Sequence, residues 1–280
     1  TSSWVAVGGG FDTYVRAFAV FNNELYSFGN FLYAGSRTTS NKITAYESVS
    51  NSLFNTGSGF NNVVTALTVF QGTVYAGGYF DAVSGGSPGS LNRVAKWDSI
   101  TNSWVTVGGG IGGGFNGIVN ALFVFNDELY AGGDFTTANG VSVKHIAKLS
   151  GGSWVTVGTG TGGGFNDGTV NSLTVFNSAL YAGGSFTTTA ASAATNRVAR
   201  LSGSSWVQAG NGFNFGAVLA LTVFNDGFGD ALYAGGGFTA APSGTPALKR
   251  VAKLSTDGLS WGTVGTGTGG GFNDGTVNSL

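Results

Sequence analysis

The chain has 280 residues, of which 51 are glycine and 22 are phenylalanine, while only 9% carry a charge. Its 12 basic and 13 acidic residues give a formal net charge of −1 and are spread along the chain, so nothing indicates a surface for nucleic acid or an anionic membrane. The absence of cysteine excludes disulfides, a thiolate nucleophile and cysteine-ligated metal. The longest apolar run, around 63–70, is far shorter than the roughly 18 residues that a membrane-spanning helix needs, so no membrane insertion is expected.

Short apolar runs separated by turn-forming residues recur along the chain, which is the pattern of strands and not of helices. Four such runs make one repeat, and five complete repeats are predicted at 15–57, 64–108, 119–158, 170–210 and 218–265. A period of roughly 50 residues with four strands is typical of β-propeller blades. We therefore predict an all-β fold, a β-propeller of four-stranded antiparallel blades, as a single domain over 1–280.

The two ends of the chain each match part of a repeat. Residues 1–8 match a fourth strand led by Trp4, and residues 277–280 match the start of a first strand. If a continuing chain supplied the two strands between them, they would complete a sixth blade. We predict six blades, with five as the alternative, and expect flanking domains of a longer chain as partners.

The first repeat is the most divergent. The sequence LYAGS at 32–36 is predicted to be its second strand, which implies an insertion at 26–30, and Leu53 stands where the other repeats have Trp. The fifth repeat carries an insertion at 227–230 in its first hairpin.

The second repeat contains the sequence WDSITNSW at 97–104, preceded by the pair Gly77-Gly78. This resembles the kelch motif, in which a double glycine ends the second strand, an aromatic residue precedes a turn, and a Trp opens the fourth strand. The resemblance implies a propeller. It implies little about activity, because the fold carries adhesion modules, scaffolds and enzymes.

Residues that recur once per repeat are interpreted as structural. Double glycines allow close approach of neighbouring strands, and the recurring Trp and Phe residues are expected between sheets. His145, the single histidine, aligns with Lys42, Arg93, Arg197 and Arg250, so we interpret it as one member of a basic position on the third strand rather than as a catalytic residue.

Two kinds of long loop, second-to-third strand and repeat-to-repeat, are expected at the same end of each sheet because alternate connections of an antiparallel sheet fall on alternate ends. This long-loop end is the candidate functional surface. A polar residue follows a Phe before each first strand, and these residues form a candidate ring at a channel mouth for Ca²⁺ or a polar ligand. The alternative is that they form Asx-turns. The ring residues are Asp12, Asn61, Asn116, Asn166, Asn214 and Asn273.

Residues that break the repeat are the better candidates for ligand binding. On this criterion Asp12, Tyr14, Arg16 and Arg37 in the first repeat are predicted ligand-binding residues, and Asp134, an acidic residue in a loop of the third repeat, is a further candidate. An arginine of this kind is suited to binding a carboxylate.

The leading hypothesis is a non-enzymatic binding or adhesion module of an extracellular or cell-surface protein, which recognises a glycan or a protein. The alternatives are a structural or assembly module of a larger repeat-built surface protein, and a glycan-active hydrolase or lyase. An enzyme would draw on the loop acids Asp12, Asp134 and Asp167. No catalytic residue, resident metal or cofactor is assigned, apart from the Ca²⁺ considered above.

Overall fold

The computed structural model describes residues 8–35, 38–108, 113–240, 247–265, 271–272 and 275–280. These residues form strands and turns without any helix, so none of them belongs to a helix that could cross a membrane. They build five four-stranded sheets and two two-stranded sheets. The all-β prediction is confirmed, and the repeated four-stranded sheet is consistent with a β-propeller-like fold. Blade number and ring closure stay predictions.

Each predicted repeat corresponds to one four-stranded sheet whose strands lie in chain order, with a small additional strand pair in a long loop of the first and third repeats. The first repeat contains β1 (Val15–Phe21), β2 (Glu24–Gly29), β3 (Tyr33–Ala34), β4 (Thr38–Thr39), β5 (Ile43–Glu47) and β6 (Ser52–Asn55). The second contains β7 (Val64–Phe70), β8 (Thr73–Gly78), β9 (Val94–Asp98) and β10 (Ser103–Thr106). The third contains β11 (Val119–Phe125), β12 (Glu128–Gly133), β13 (Thr137–Ala138), β14 (Val141–Ser142), β15 (Ile146–Ser150) and β16 (Ser153–Thr156).

The last two repeats follow the same plan. The fourth contains β17 (Val170–Phe176), β18 (Ala179–Gly184), β19 (Val198–Ser202) and β20 (Ser205–Gln208), and the fifth contains β21 (Val218–Asn225), β22 (Asp230–Gly236), β23 (Val251–Leu254) and β24 (Trp261–Thr263). The small strands β3–β4 and β13–β14 pair within long loops and stay outside the four-stranded sheets.

The chain folds into two compact units, residues 1–129 with 149–154 and residues 130–148 with 155–280. The first unit has a core that joins the first and second sheets, and the second unit has a core that joins the fourth and fifth sheets. The strands of the third repeat are divided between the two units.

A β-bulge marks the start of the first hairpin in the first, second, fourth and fifth sheets. In the second sheet Val64 and Ala66 pair with consecutive residues of β8, so Thr65 is the extra residue. Its Oγ1 donates a hydrogen bond of 2.5 Å to the carbonyl of Val119 in the next sheet. Asn171 does the same in the fourth sheet, where Nδ2 lies 2.9 Å from the carbonyl oxygen of Val218. The bulge therefore turns a polar side chain towards the neighbouring sheet.

Aromatic rings fill the space between sheets. Phe60 stacks on Phe80 with ring centroids 4.0 Å apart and contacts Trp104 at 4.9 Å. The same trio recurs in the fourth and fifth sheets, around Phe165 and Phe213. All these Phe and Trp rings are buried. Because each aromatic ring buries a large apolar area, these trios are a main source of sheet-to-sheet stability.

The first glycine of a double-glycine pair allows the next sheet to approach closely. A Cβ on Gly77 would lie 2.5 Å from Cγ1 of Val119, and a Cβ on Gly132 would lie equally close to Val170. No side chain fits at that distance without displacing its neighbour. The structural interpretation of these glycines is therefore confirmed.

The predicted second strand of the first repeat was misplaced. A tight turn at Asn22-Asn23, with φ of 49° and 62°, joins β1 to β2, and Gly29 pairs with Val15 as Gly78 pairs with Val64. The first hairpin thus contains no insertion at 26–30. The match of LYAGS to LYAGG was wrong because that segment lies in the following long loop. The insertion predicted at 227–230 in the fifth repeat is confirmed, because β21 and β22 pair as far as Asn225 and Asp230 and are joined by a four-residue turn at 226–229.

The recurring basic position lies immediately before the third strand and not on it. Its residues have a left-handed backbone, with φ of 72° at Arg93 and 68° at His145. The Arg93 side chain donates to the carbonyl of Tyr79, and the Arg197 side chain donates to the carbonyl of Phe213 over 2.9 Å. These arginines therefore hold loop carbonyls.

Candidate functional site

The two kinds of long loop meet at one end of their sheet, as predicted. Phe60, in the segment that enters the second repeat, forms a β-bridge with Val83 of the second-to-third loop, and Phe165 forms the same bridge with Thr189 in the fourth repeat. Since a rigid sheet holds both loops, this long-loop end offers positioned side chains for binding.

The polar residues of the predicted ring connect these loops in the first two repeats. Oδ1 of Asp12 accepts hydrogen bonds from the backbone N–H groups of Leu32 and Tyr33, at 3.0 and 3.2 Å. Oδ1 of Asn61 accepts from the two equivalent N–H groups of the second repeat, at 3.2 and 3.3 Å. These hydrogen bonds reach a loop 20 and 21 residues further along the chain, so each Oδ1 braces that loop and does not make the local bond of an Asx-turn. The ring that would bind Ca²⁺ or a polar ligand stays a prediction.

The other residues of the predicted ring differ from one another in burial and hydrogen bonding. Asn166 donates to the carbonyl of Thr189 over 2.6 Å and accepts from Nζ of Lys144 over 2.9 Å. Oδ1 of Asn214 is buried without a hydrogen-bond partner in the part of the chain that the structure describes. Asn116 is exposed just before the third sheet, and Asn273 lies outside the described residues.

In the fourth repeat the neighbouring Asp167 takes over the bracing role. Its carboxylate accepts hydrogen bonds from the backbone N–H groups of Thr187 and Thr188, both at 3.0 Å, and from both hydroxyls. Burial opposes ionisation, but these hydrogen bonds outweigh it and hold the pKa of Asp167 below its ordinary value. A carboxylate kept ionised in this way braces a loop and is poorly suited to donate a proton as a general acid.

The first repeat opens a cleft of 700 Å³ at its long-loop end. It is lined by Gly9, Gly10, Phe11, Asp12, Tyr33 and Gly35. Tyr33 is 44% exposed and Asp12 is exposed, whereas Phe60 at the position of Phe11 is fully buried. The first sheet also has Leu53 in place of the Trp that covers this Phe in the second sheet. The cleft thus lies at the sheet whose aromatic trio is incomplete.

The negative charge of Asp12 in this cleft interacts with the positive charge of Lys42. Burial lowers the pKa of Lys42, and the Asp12 carboxylate acts in the opposite direction. Nζ of Lys42 donates to the carbonyl of Asn30 over 3.3 Å. The lysine is therefore held to the loop by one hydrogen bond and interacts electrostatically with Asp12, which is exposed.

The remaining predicted ligand-binding residues that the structure describes are not among those that line the cleft. Tyr14 is 78% exposed directly before β1, and Arg16 is exposed at the bulge, where Thr65 in the next repeat binds a carbonyl. Arg37 lies outside the described residues, and Asn30, not Arg37, aligns with Tyr79. Asp134 is exposed at the long-loop end of the third repeat and belongs to the second unit.

The described residues contain no group of three or more His, Asp or Glu side chains placed to hold a metal ion. The chemistry within the cleft of the first repeat is that of an aromatic ring, a carboxylate and backbone groups. Such a set suits the binding of a neutral polar molecule, by packing on the ring and hydrogen bonding to the carboxylate.

Two clefts at the opposite end of the sheets, where short turns join the strands, were not predicted from the sequence. One of 370 Å³ lies between the first and second sheets and includes Tyr26 and Trp97, and one of 540 Å³ includes Tyr75, Lys96 and Asp127. The sequence feature that could have indicated them is a tyrosine that recurs on each second strand. It is indistinguishable in sequence from a core aromatic, because Tyr26 and Tyr75 are each buried to 5% exposure although they line these clefts.

Comparison with known proteins gives a structural likeness and no sequence relative. No family model and no curated protein matches the chain. The extracellular domain of a proposed one-component system from B. thetaiotaomicron is similar, with a TM-score of 0.56 and 12% identity over 90% of this chain. The match spans 28% of that protein's length. A computationally designed protein matches with a TM-score of 0.48 and 15% identity, over 90% of this chain and 71% of its own. At this identity the first likeness bears on the fold alone, and the kelch resemblance stays a prediction.

Proposed function

We propose that the chain is a non-enzymatic binding module of an extracellular or cell-surface protein, and that the cleft of the first repeat holds its ligand. The observation that carries this proposal is the concave surface around Asp12 and Tyr33, which a rigid sheet and two backbone hydrogen bonds hold in place. The extracellular setting is supported by the similar domain described above. A six-bladed ring is part of the same proposal, with the sixth blade formed by residues 1–8, residues 277–280 and two further strands that a continuing chain would supply.

The ligand we propose is a glycan. Sugar hydroxyls donate hydrogen bonds to carboxylates, and the apolar face of a sugar ring packs on an aromatic side chain. The cleft provides both groups, and exposed Tyr14 provides a second ring close by in sequence. A protein ligand is the other outcome that a binding screen would reveal.

The test is a glycan-array screen followed by affinity measurements on variants. Tyr33→Ala removes the ring, and Asp12→Asn removes the charge while keeping an oxygen that can accept the two loop hydrogen bonds, as Asn61 does in the second repeat. We expect each variant to bind at least about tenfold more weakly, a loss of about 1.4 kcal/mol. Tyr79→Ala is the matched control, because Tyr79 is 39% exposed at the same end of the second sheet and lies outside the cleft. Unchanged affinity in both cleft variants would contradict the proposal.

The alternative of an assembly module is favoured by a different observation, an apolar groove beside the fifth sheet. The groove lies in the second unit and shares no lining residue with the cleft of the first repeat. The two proposals can therefore be tested separately.

A further inference from the structure

In the fourth and fifth repeats, the Trp of the fourth strand fits into a seat provided by the preceding repeat. The seat consists of a glycine just after the preceding fourth strand and the carbonyl of the residue before that glycine. Trp206 Nε1 donates to the carbonyl of Val157 over 3.2 Å, and a Cβ on Gly158 would lie 2.6 Å from Cδ1 of Trp206. Trp261 donates in the same way to the carbonyl of Ala209 over 3.0 Å. The glycine is required because a side chain would occupy the place of the indole.

The fifth repeat carries the same seat. Gly265 has a φ of 93°, close to the 97° of Gly158, and Val264 supplies the equivalent carbonyl. Around the Cβ position of Gly265, however, no described residue lies within 4 Å. The seat opens instead into a groove of 780 Å³ whose lining includes Phe224, Tyr233 and Val264. We call Val264, Gly265 and this groove the fifth indole seat.

Comparison with the fourth sheet shows what covers the aromatic rings of this groove in another repeat. Phe176 and Tyr181 of the fourth sheet, which align with Phe224 and Tyr233, pack against the core of the fifth sheet together with Trp261. Phe224, by contrast, is 59% exposed. The fifth sheet thus presents the same apolar surface that the fourth sheet buries beneath a Trp-bearing sheet.

The first contacts of a following repeat are already present at this surface. A Cβ on Gly235 would lie 2.6 Å from Val277 and 3.1 Å from Leu280. A Cβ on Gly183 would lie at the same distances from Val218 and Leu221 of the fifth sheet. The fifth indole seat therefore continues an interface that this chain builds repeatedly. The occupant that completes it elsewhere is a Trp preceded by Ser, on a strand that reads Ser-Trp-Val at 103–105, 153–155 and 205–207 and Ser-Trp-Gly at 260–262.

We propose that the fifth indole seat is a docking site for a β-strand of sequence Ser-Trp-Val. The indole fills the groove between Phe224 and Gly265, and its N–H donates to the carbonyl of Val264. The apolar lining selects the ring, the carbonyl selects a ring that carries an N–H, and the glycine leaves room for it. Phenylalanine in place of tryptophan would lose the hydrogen bond and bind more weakly.

The probe is the peptide Ser-Ser-Trp-Val-Ala-Val-Gly, the chain's own sequence at 2–8, with 5-fluorotryptophan observed by fluorine NMR. The protein is the Trp4→Ala variant, so that the Ser-Trp-Val sequence at 3–5 of the chain does not compete with the probe. We expect saturable binding that an unlabelled peptide displaces, with at least tenfold weaker displacement when the Trp is replaced by Phe or Ala.

The seat is tested by Phe224→Asp, which alters an exposed ring of the groove and should weaken peptide binding at least tenfold. The matched control is Phe228→Asp in the same hairpin, since Phe228 is 93% exposed and does not line the groove. Circular dichroism verifies that both variants are folded. Absence of saturable binding to the Trp4→Ala variant, or equal binding by the two aspartate variants, would overturn the proposal.

Discussion

The structural role of a single residue is clearest at the paired glycines, where the close approach of the next sheet leaves no room for a side chain. Gly77, Gly132 and Gly183 each leave about 2.5 Å between a would-be Cβ and a valine of the next sheet. The same residue type elsewhere has no such role, because turn glycines such as Gly151 and Gly203 contact nothing within 4 Å of that position. Sequence periodicity identified the first set correctly, since only those glycines recur as pairs at the end of a strand.

The close approach at Gly77 predicts a specific loss of stability. Gly77→Ala should destabilise the protein by about 1–3 kcal/mol, because the added methyl overlaps Val119 and forces one strand to shift. The control is Gly262→Ala, at a position where the nearest atom would be 3.9 Å away and the backbone is not left-handed. That change should be neutral or stabilising by up to about 1 kcal/mol. Urea denaturation measures both, and equal stability of the two variants would show that the packing at Gly77 is looser than described.

His145 predicts a pH dependence of stability. Burial lowers its pKa below the ordinary 6.5, although the carboxylates of Asp134 and Asp167 act in the opposite direction. As pH falls below about 6.5 the unfolded chain takes up this proton before the folded chain does, so stability should decrease. Asp167 contributes in a lower range, because its lowered pKa means that its contribution is lost only as pH falls below about 4.

The two ranges can be separated by one variant. In His145→Arg, which places at this position the residue found at Arg93 and Arg197, the change in unfolding free energy between pH 7.5 and 5 should largely disappear. Urea denaturation at three pH values across this interval is the measurement. An unchanged pH dependence in the variant would assign the effect to other groups.

At the scale of strands and sheets, the fourth-strand Trp decides how firmly one sheet packs on the one before. Trp206 donates to the carbonyl of Val157, whereas Nε1 of Trp154 is buried without a hydrogen-bond partner among the described residues. Both rings are almost fully buried, at 4% and 3% exposed. The two positions therefore differ chiefly in one hydrogen bond.

This difference predicts unequal effects of the same substitution. Trp206→Phe loses ring volume and a hydrogen bond, while Trp154→Phe loses similar volume and removes an unsatisfied N–H. Trp206→Phe should therefore be more destabilising, by about 1 kcal/mol or more. Guanidinium denaturation followed by far-UV circular dichroism gives both values. Equal losses would mean that the indole N–H of Trp206 contributes nothing net.

For the whole molecule, the repeated architecture could be predicted from sequence to a large extent. The alternation of apolar runs and turns located all five sheets, and the paired glycines located the ends of most second strands. The first repeat was the exception, because the sequence LYAGS resembles the second strand of the other repeats and was aligned with it. The true hairpin turn is at Asn22-Asn23, two asparagines with a left-handed backbone. That error also placed Arg37 in the wrong alignment.

The candidate site was less predictable. Asp12 was identified because it breaks a pattern of asparagines, yet its hydrogen bonds to a loop 20 residues away depend on tertiary structure. Tyr33 was not identified, because the misplaced second strand assigned it to a sheet. The fifth indole seat was not identified either, because its residues resemble those of the other seats and the sequence does not show that it is uncovered.

The most direct test of the proposed binding module is hydroxyl-radical footprinting with the glycan that the array identifies. The side-chain oxidation rates of Tyr33 and Tyr79 are compared with and without saturating ligand, since both rings are exposed at the long-loop end of their sheets. The account predicts strong protection of Tyr33 and an unchanged rate at Tyr79. Protection of Tyr79 with Tyr33 unchanged, or equal rates at both with and without ligand, would contradict it.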